Sequence, residues 1–329
     1  MTKKRTTINR RTMLLSTAGL LAAPAILSSN TQTVQAAAAK LGAAHPTHYR
    51  FKLGEFEVTT IWDGAIKLKG PHPIFGQNVE EKEVQDLAAV NFLPKTEMEI
   101  SFTPVIVNTG KEIIVFDSGN GNARRAKGAG KLKDTLAVAG FKPEQVDIVV
   151  ITHCHPDHIG GLMEGNNPLF PNARYVMGET EYNFWSPKEV AEGKLARVGK
   201  IVQSNVVPLA PKMTFLKNEG TVVPGITAIG AEGHTPGHMA YHLESGNSRL
   251  LLWADTTNHY VASLQRPDWH VRFDMDKEKA AATRKRILDM VAADKIPASG
   301  YHMPFPAVGF VEKRGASYRW VPTAYQLNL

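Results

Sequence analysis

Between Thr152 and Gly161 the chain reads Thr-His-Cys-His-Pro-Asp-His-Ile-Gly-Gly, so four groups able to hold a metal, His153, His155, Asp157 and His158, fall within six residues. Imidazole nitrogen and carboxylate oxygen suit zinc and other borderline divalent cations. Side chains alternate in an extended segment, so His153 and His155 share one side and Cys154 faces the other. A tight turn through Pro156 then re-aims Asp157 and His158. Three more ligand types close apolar runs: His234 in Gly233-His234-Thr235-Pro236-Gly237-His238, Asp255 after Leu250–Trp253, and His302 after Ile296–Ser299. A strand end is where a sheet presents such a group. Water activated by cations at this set needs no serine or cysteine nucleophile. His238, four residues beyond His234, is a candidate partner for a ligand.

These groups need strands that end on one edge. Val146–Thr152 is a continuous apolar run, as in a strand buried on both faces. Phe51–Trp62 alternates like a half-buried strand. Ile100–Asn108 and Glu112–Asp117, separated by Thr109-Gly110-Lys111, read as a hairpin. Leu132–Ala139 reads as a short helix closed by Gly140, and Ala191–Gln203 as a helix or a loop. A second strand-rich half begins near Met213 and includes Ile226–Ile229, Met239–Leu243 and Arg249–Ala254. A helix from about Lys277 to Ala293 follows, capped by Asp276 or Asp274. Its apolar face carries Ile287, Met290 and Val291, with Arg284, Lys285 and Asp289 placed elsewhere. Two such αβ halves predict an α/β sandwich of two sheets with helices on both outer sides.

The 329 residues, 43% hydrophobic and 21% charged, are enough for a large core. Residues 1–39 read as a removable export signal. Lys3, Lys4, Arg5, Arg10 and Arg11 precede an apolar stretch and the small residues Ala36–Ala39, and Arg10-Arg11 has the twin-arginine pattern. Residues 40–329 then form a single domain, periplasmic or secreted. Loss of the signal takes Lys+Arg from 38 to 33 against 31 acids, so the formal charge falls from +7 to +2. That balance argues against nucleic acid as a partner. No apolar run in the remainder spans a bilayer, and the expected partner is a small-molecule substrate. Cys154 is the single cysteine, which excludes an intramolecular disulfide.

The pattern His153-x-His155-x-Asp157-His158, followed by His234, Asp255 and His302, resembles the metal signature of the metallo-β-lactamase superfamily over roughly residues 50–325. Within it the chain looks closest to methyl parathion hydrolase-like enzymes. The matching segments include Leu53–Thr59, Val107–Gly110, Asp117-Ser118-Gly119, Phe170–Ala173, Val223–Ile226 and Arg319–Pro322. The resemblance implies the αβ/βα four-layer sandwich of two mixed β-sheets and two divalent metal ions. Zinc is the first expectation; manganese, iron or cobalt are alternatives. His153, His155 and His234 would hold one ion, Asp157, His158 and His302 the other, and Asp255 would bridge them. A shared hydroxide would attack a small ester, lactone or organophosphate triester, with Asp157 or Asp255 orienting it or taking its proton. A homodimer is implied as well. Asp255 argues against antibiotic-hydrolysing members, which lack that bridge.

The chain departs from organophosphate-degrading members where aromatic side chains line their leaving-group pocket. The loop after Asp117-Ser118-Gly119 is Asn120–Lys127, with Arg124 and Arg125, and the segment after Trp185 carries Lys194-Leu195-Ala196-Arg197. These changes argue against efficient cleavage of aryl phosphotriesters. Arg124 and Arg125 suit an anionic substrate. Trp185 is a candidate substrate contact, as is His259, four residues after Asp255. The competing readings are a phosphodiesterase or nuclease and a one-iron oxygenase of thiols or persulfides.

Overall fold

The computed structural model describes residues 40–42 and 44–324; the proposed signal lies outside them. From His45 onward the chain forms one unit. Its first sheet has seven strands, ordered His48–Leu53, Phe56–Ile61, Val105–Asn108, Ile113–Phe116, Ile148–Ile151, Arg174–Gly178 and Met213–Leu216. Pairing is antiparallel as far as Ile113–Phe116 and parallel beyond it. The second sheet runs from Thr221–Val223 to Ser317–Pro322 in chain order. It is antiparallel except where Ser248–Ala254 meets Ala298–Gly300 in parallel, the two being joined through the helix Lys277–Asp294.

Alternation explains the layering. Ile148, Val150 and Val176 face the other sheet, against Ile226, Tyr241 and Leu252, while Val149, Ile151 and Met177 face the helices that carry Leu136 and Val202. On the far side Leu251 and Trp253 pack on Ile287, Leu288 and Val291 of the long helix. Each such aliphatic side chain contributes roughly 1.5–3 kcal/mol by leaving water. The result is the expected αβ/βα four-layer sandwich.

Four expectations are corrected. Phe51–Trp62 is not one strand: the chain reverses at Gly54, whose φ of +59° favours glycine and whose absent side chain leaves room for Ser245 O. Period-two alternation runs on through such a turn, so the pattern hid it. Ile100–Asn108 is also divided, at Thr103-Pro104. Glu97–Phe102 leaves the main sheet and pairs with Gly64–Lys69 as a separate two-stranded ribbon. Met213–Leu216 closes the first sheet instead of opening the second. Arg284 is fully buried. Asp276 caps the helix by accepting from Lys279 N at 3.0 Å, which leaves Asp274 free to pair with Arg284 at 2.8 Å.

Candidate metal centre

Seven side chains from two sheets meet at one end of the sandwich. After Ile148–Ile151 the chain leaves the sheet at Thr152. Thr152 N and Oγ1 both donate to Asp117, at 2.8 Å each. Pro156 opens a single helical turn, Pro156–Ile159, in which His158 N and Ile159 N donate to His155 O. His153 and His155 therefore leave from extended backbone, and Asp157 and His158 from the turn.

The other three candidate ligands are held as firmly. Gly233, at φ +122°, lies against the backbone of Ala280 where no side chain would fit, and this seats the His234 loop on the long helix. Asp255 follows Ala254, which adopts the left-handed φ of 45°, a strained value for a residue with a side chain. His238 holds that bend. Its Nδ1 donates to Ala231 O at 3.0 Å and its Nε2 accepts from Asp255 N at 3.1 Å. His302 extends beyond Ala298–Gly300 on the loop that follows.

The side chains form two groups that share one carboxylate. His153, His155, His234 and Asp255 make the first; Asp157, His158, His302 and Asp255 make the second. Asp255 Oδ2 lies 3.2 Å from His234 Nε2 and 3.2 Å from His302 Nε2, and its Oδ1 lies 3.3 Å from His158 Nε2. His155 Nδ1 and His234 Nε2 face each other at 2.8 Å. Buried polar atoms normally find partners, yet His153 Nε2, His158 Nε2 and Asp255 Oδ1 have none. All three belong to this cluster.

The outer nitrogens show why the inner ones are free. His158 Nδ1 donates to Asp117 Oδ2 at 2.8 Å, His234 Nδ1 to Asp274 Oδ1 at 2.8 Å, and His302 Nδ1 to Ser101 O at 2.8 Å. The Thr152 hydroxyl gives its hydrogen to Asp117, so it accepts from His153 Nδ1 at 3.1 Å. Each bond sets the tautomer and turns an Nε2 lone pair inward. Burial, joined by the other imidazoles, holds His153 well below its ordinary pKa and lowers His155 to about 3, so both are neutral donors near neutral pH. Burial alone would raise Asp255, but His302, His158 and His234 outweigh it and keep the carboxylate ionised. His153 and His155 are neutral, while against burial the neighbouring carboxylates raise His158, His234 and His302; divalent cations would take the place of those protons, so the ionised carboxylates and unpartnered inward atoms fit the metals.

A further carboxylate ties the two ligand loops together. Glu181 is buried and accepts from Cys154 N and Trp185 Nε1 through one oxygen, and from Thr235 Oγ1 and Gly237 N through the other, at 2.8–3.0 Å. Its pKa is raised by burial and restrained by those four donors. Cys154 lies in the core beneath the loop, turned from the cluster as alternation predicts.

The cluster opens into a cleft of about 500 Å³. Trp185 and Arg124 line it as expected. Arg125 does not. It turns to Glu164 and to Gly130 O, so its charge is already matched. His259 does not line it either. His259 Nδ1 accepts from Val261 N and Ala262 N at 3.1 Å, ordering the start of a short helix, and the ring borders a neighbouring apolar cavity. Burial lowers it to about 4. Sequence reasoning missed Asp274, Glu181, Asn258 and Arg272. Asp274 stood beside the helix start with the same local signal as Asp276, and nothing in the chain near Glu181 marks its four donors. Aromatic lining is present after all, with Phe102 and Phe273 supplied by segments other than Asn120–Lys127 and Lys194–Arg197.

Residues 103–298 match the sequence model of the metallo-beta-lactamase superfamily. An N-acyl homoserine lactonase of Bacillus sp is 24% identical over 233 residues, covering 68% of this chain and 84% of its own. Among solved structures, AidC, a dizinc quorum-quenching lactonase in complex with a product, superposes with a TM-score of 0.77 at 27% identity, covering 84% of this chain and 98% of its own. The hydrolase AbOPH of the beta lactamase superfamily gives 0.77 at 26%, covering 86% and 99%.

Proposed function

Given that the chain belongs to the metallo-β-lactamase superfamily, we propose that it is a dinuclear zinc hydrolase that opens lactones or cleaves small carboxylic esters, N-acyl homoserine lactones being the first substrates to test. The carrying observation is Asp255, one carboxylate shared by two groups of inward-facing histidines. The lactonase relatives, including the dizinc one, support a lactone substrate over the methyl parathion-like substrate that the sequence resemblance suggested.

His153, His155 and His234 would hold one cation, Asp157, His158 and His302 the second, and Asp255 both. Cations held there would bring the pKa of water from about 15.7 to near 7 and would polarise the substrate carbonyl. The protein's own part is orientation and proton handling. Asp117, Asp274, Thr152 and the Ser101 carbonyl fix the imidazoles, and Asn258 Nδ2 steadies Asp255 Oδ2 at 3.0 Å. The Asp157 side chain is 22% exposed against 4% for Asp255, so Asp157 is the more accessible of the two from the cleft. It is placed to accept a proton from the attacking water and return it to the leaving alkoxide. Tyr301 holds it there, since its hydroxyl donates to Asp157 O at 2.7 Å and its ring lies 3.9 Å from that of His158.

The proposal includes export before activity and a homodimeric state. The test is direct. The mature protein, stripped and reloaded with single metals, is screened on lactones, aryl esters, phosphotriesters and phosphodiesters with a chelator control. Chelator-sensitive lactone or ester hydrolysis with about two zinc ions per chain is expected. Turnover confined to phosphodiesters, or unaffected by Asp255→Ala, would overturn it.

A further inference from the structure

Three guanidinium groups converge on the cleft from separate parts of the chain. Arg124 comes from the 3₁₀ turn Asn122–Lys127, Arg197 from the first turn of the helix Ala196–Asn205, and Arg272 from the loop after Trp269. Among the described residues, none of the three side chains has a hydrogen-bond acceptor or an acidic partner within reach, whereas neighbouring Arg125 is paired with Glu164. Arg272 lies 5.0 Å over the ring of Phe273, which steadies it without satisfying its donors. The carboxylates lining the same cleft are Asp157, Asp255 and Asp274. The first two belong to the metal cluster and the third to His234 and Arg284. No acid in the cleft remains to neutralise the arginines.

Much of the remaining lining is apolar. Ile66, Leu68 and Ile100 of the ribbon contribute one side, and Leu195 and Phe273 are also exposed to the cleft. A ligand filling this space meets cationic donors, apolar side chains and the cluster in one cleft. Guanidinium groups bind carboxylate and phosphate oxygens through paired, charge-assisted hydrogen bonds.

We propose that the substrate is a lactone or ester whose acyl portion carries an oxyanion, a carboxylate or a phosphate, bound by Arg124, Arg197 and Arg272. This rests on the hydrolase reading above and narrows it. It makes the arginines specificity determinants and leaves the apolar lining to the uncharged part of the acyl chain.

The test compares phenyl hexanoate with the phenyl half-ester of adipic acid and with a phosphate-ended counterpart. The zinc-loaded enzyme should favour an anionic ester by about tenfold in kcat/KM at low salt. That ratio should shrink between about 20 mM and about 500 mM salt as screening grows. In the combined Arg124→Gln, Arg197→Gln, Arg272→Gln variant the ratio should approach unity, a readout that a general loss of activity does not move. The larger of the carboxylate and phosphate preferences identifies the oxyanion. Equal rates on all three esters, or a preference that survives in the variant, overturns the proposal. Calorimetry with adipate and hexanoate decides the matter without turnover. Adipate should bind more tightly by about tenfold in the natural sequence and by no margin in the variant; equal binding throughout overturns the proposal. Loss of all ester turnover with the adipate preference intact would count against the hydrolase reading and leave the oxyanion site standing.

Discussion

The floor of the cleft and its walls are built on opposite terms. On the floor, the outer ring nitrogens of His153, His158, His234 and His302 are engaged, every supporting carboxylate has two or more donors, and His153 Nε2, His158 Nε2 and Asp255 Oδ1 face inward without partners. On the walls, aliphatic side chains of the ribbon stand beside arginines with no partner. The floor is over-determined and the wall under-determined. A reaction that needs cations within a few tenths of an ångström of their place requires the first. A site whose substrate supplies the missing partner requires the second. One fold can thus keep its chemistry while its wall changes the molecule it accepts.

The contrast breaks most visibly if the floor tolerates change. Asp255→Ala or His302→Ala should cut turnover by about a thousandfold, and should lower bound zinc from about two to one or fewer per chain by elemental analysis. Normal metal content in either variant would remove the floor's claim to be a metal centre.

Asp274→Asn tests the layer behind it. His234 Nδ1 would lose its carboxylate acceptor and Arg284 its buried counter-ion, so metal affinity or activity should fall by about 10–100-fold. Burial opposes ionisation of Asp274, but His234 and Arg284 outweigh it and hold its pKa below the ordinary carboxylate value. Its stabilising contribution is therefore complete above the unfolded-state pKa of about 3.9 and is lost as pH falls through the lower folded value. Unfolding curves of the natural and variant proteins should converge as pH drops from about 4 towards 2. Curves that stay parallel would show that Asp274 carries no such linkage.

Glu181→Gln sharpens the comparison further out. An amide can offer only one acceptor oxygen, so an N–H group meets either Gly237 N or Cys154 N without a partner. Thermal unfolding should show a loss of about 1–3 kcal/mol, with weaker zinc retention because two ligand loops loosen together. An unchanged melting temperature would mean the loops hold without this tie. The smallest effect belongs to the rim. Arg125→Gln removes a partly exposed pair with Glu164 and should cost no more than about 0.5 kcal/mol, with lactone or ester turnover unaltered. A large loss of activity there would show that Arg125 reaches substrate after all.

The same division decides what could be read in advance. The floor was legible because metal chemistry restricts residue type: His and Asp at the ends of apolar runs, four of them within six positions, leave few alternatives. Layering was legible for a similar reason, since Ile148–Ile151 can be uniformly apolar only if both faces are covered. Where the pattern continued through a reversal, as at Gly54, or across a change of partner, as at Thr103-Pro104, the element was misplaced. Hydrophobic periodicity reports which face is buried and says nothing about what buries it.

Sequence alone determined the candidate ligand set, the two-sheet sandwich and the turn of Cys154 away from it, because each follows from local geometry and the chemistry of single side chains. Tertiary structure decided the rest. It chose Asp274 over Asp276 to hold His234, buried Arg284 in a helix face that reads as polar, turned Arg125 away from the cleft and brought Arg197 and Arg272 into it. Those outcomes depend on which groups the fold brings together, Arg284 with Asp274 10 positions away, Arg125 with Glu164 39 away and His234 with Asp274 40 away, and a charged side chain carries no local mark of the partner that will satisfy it.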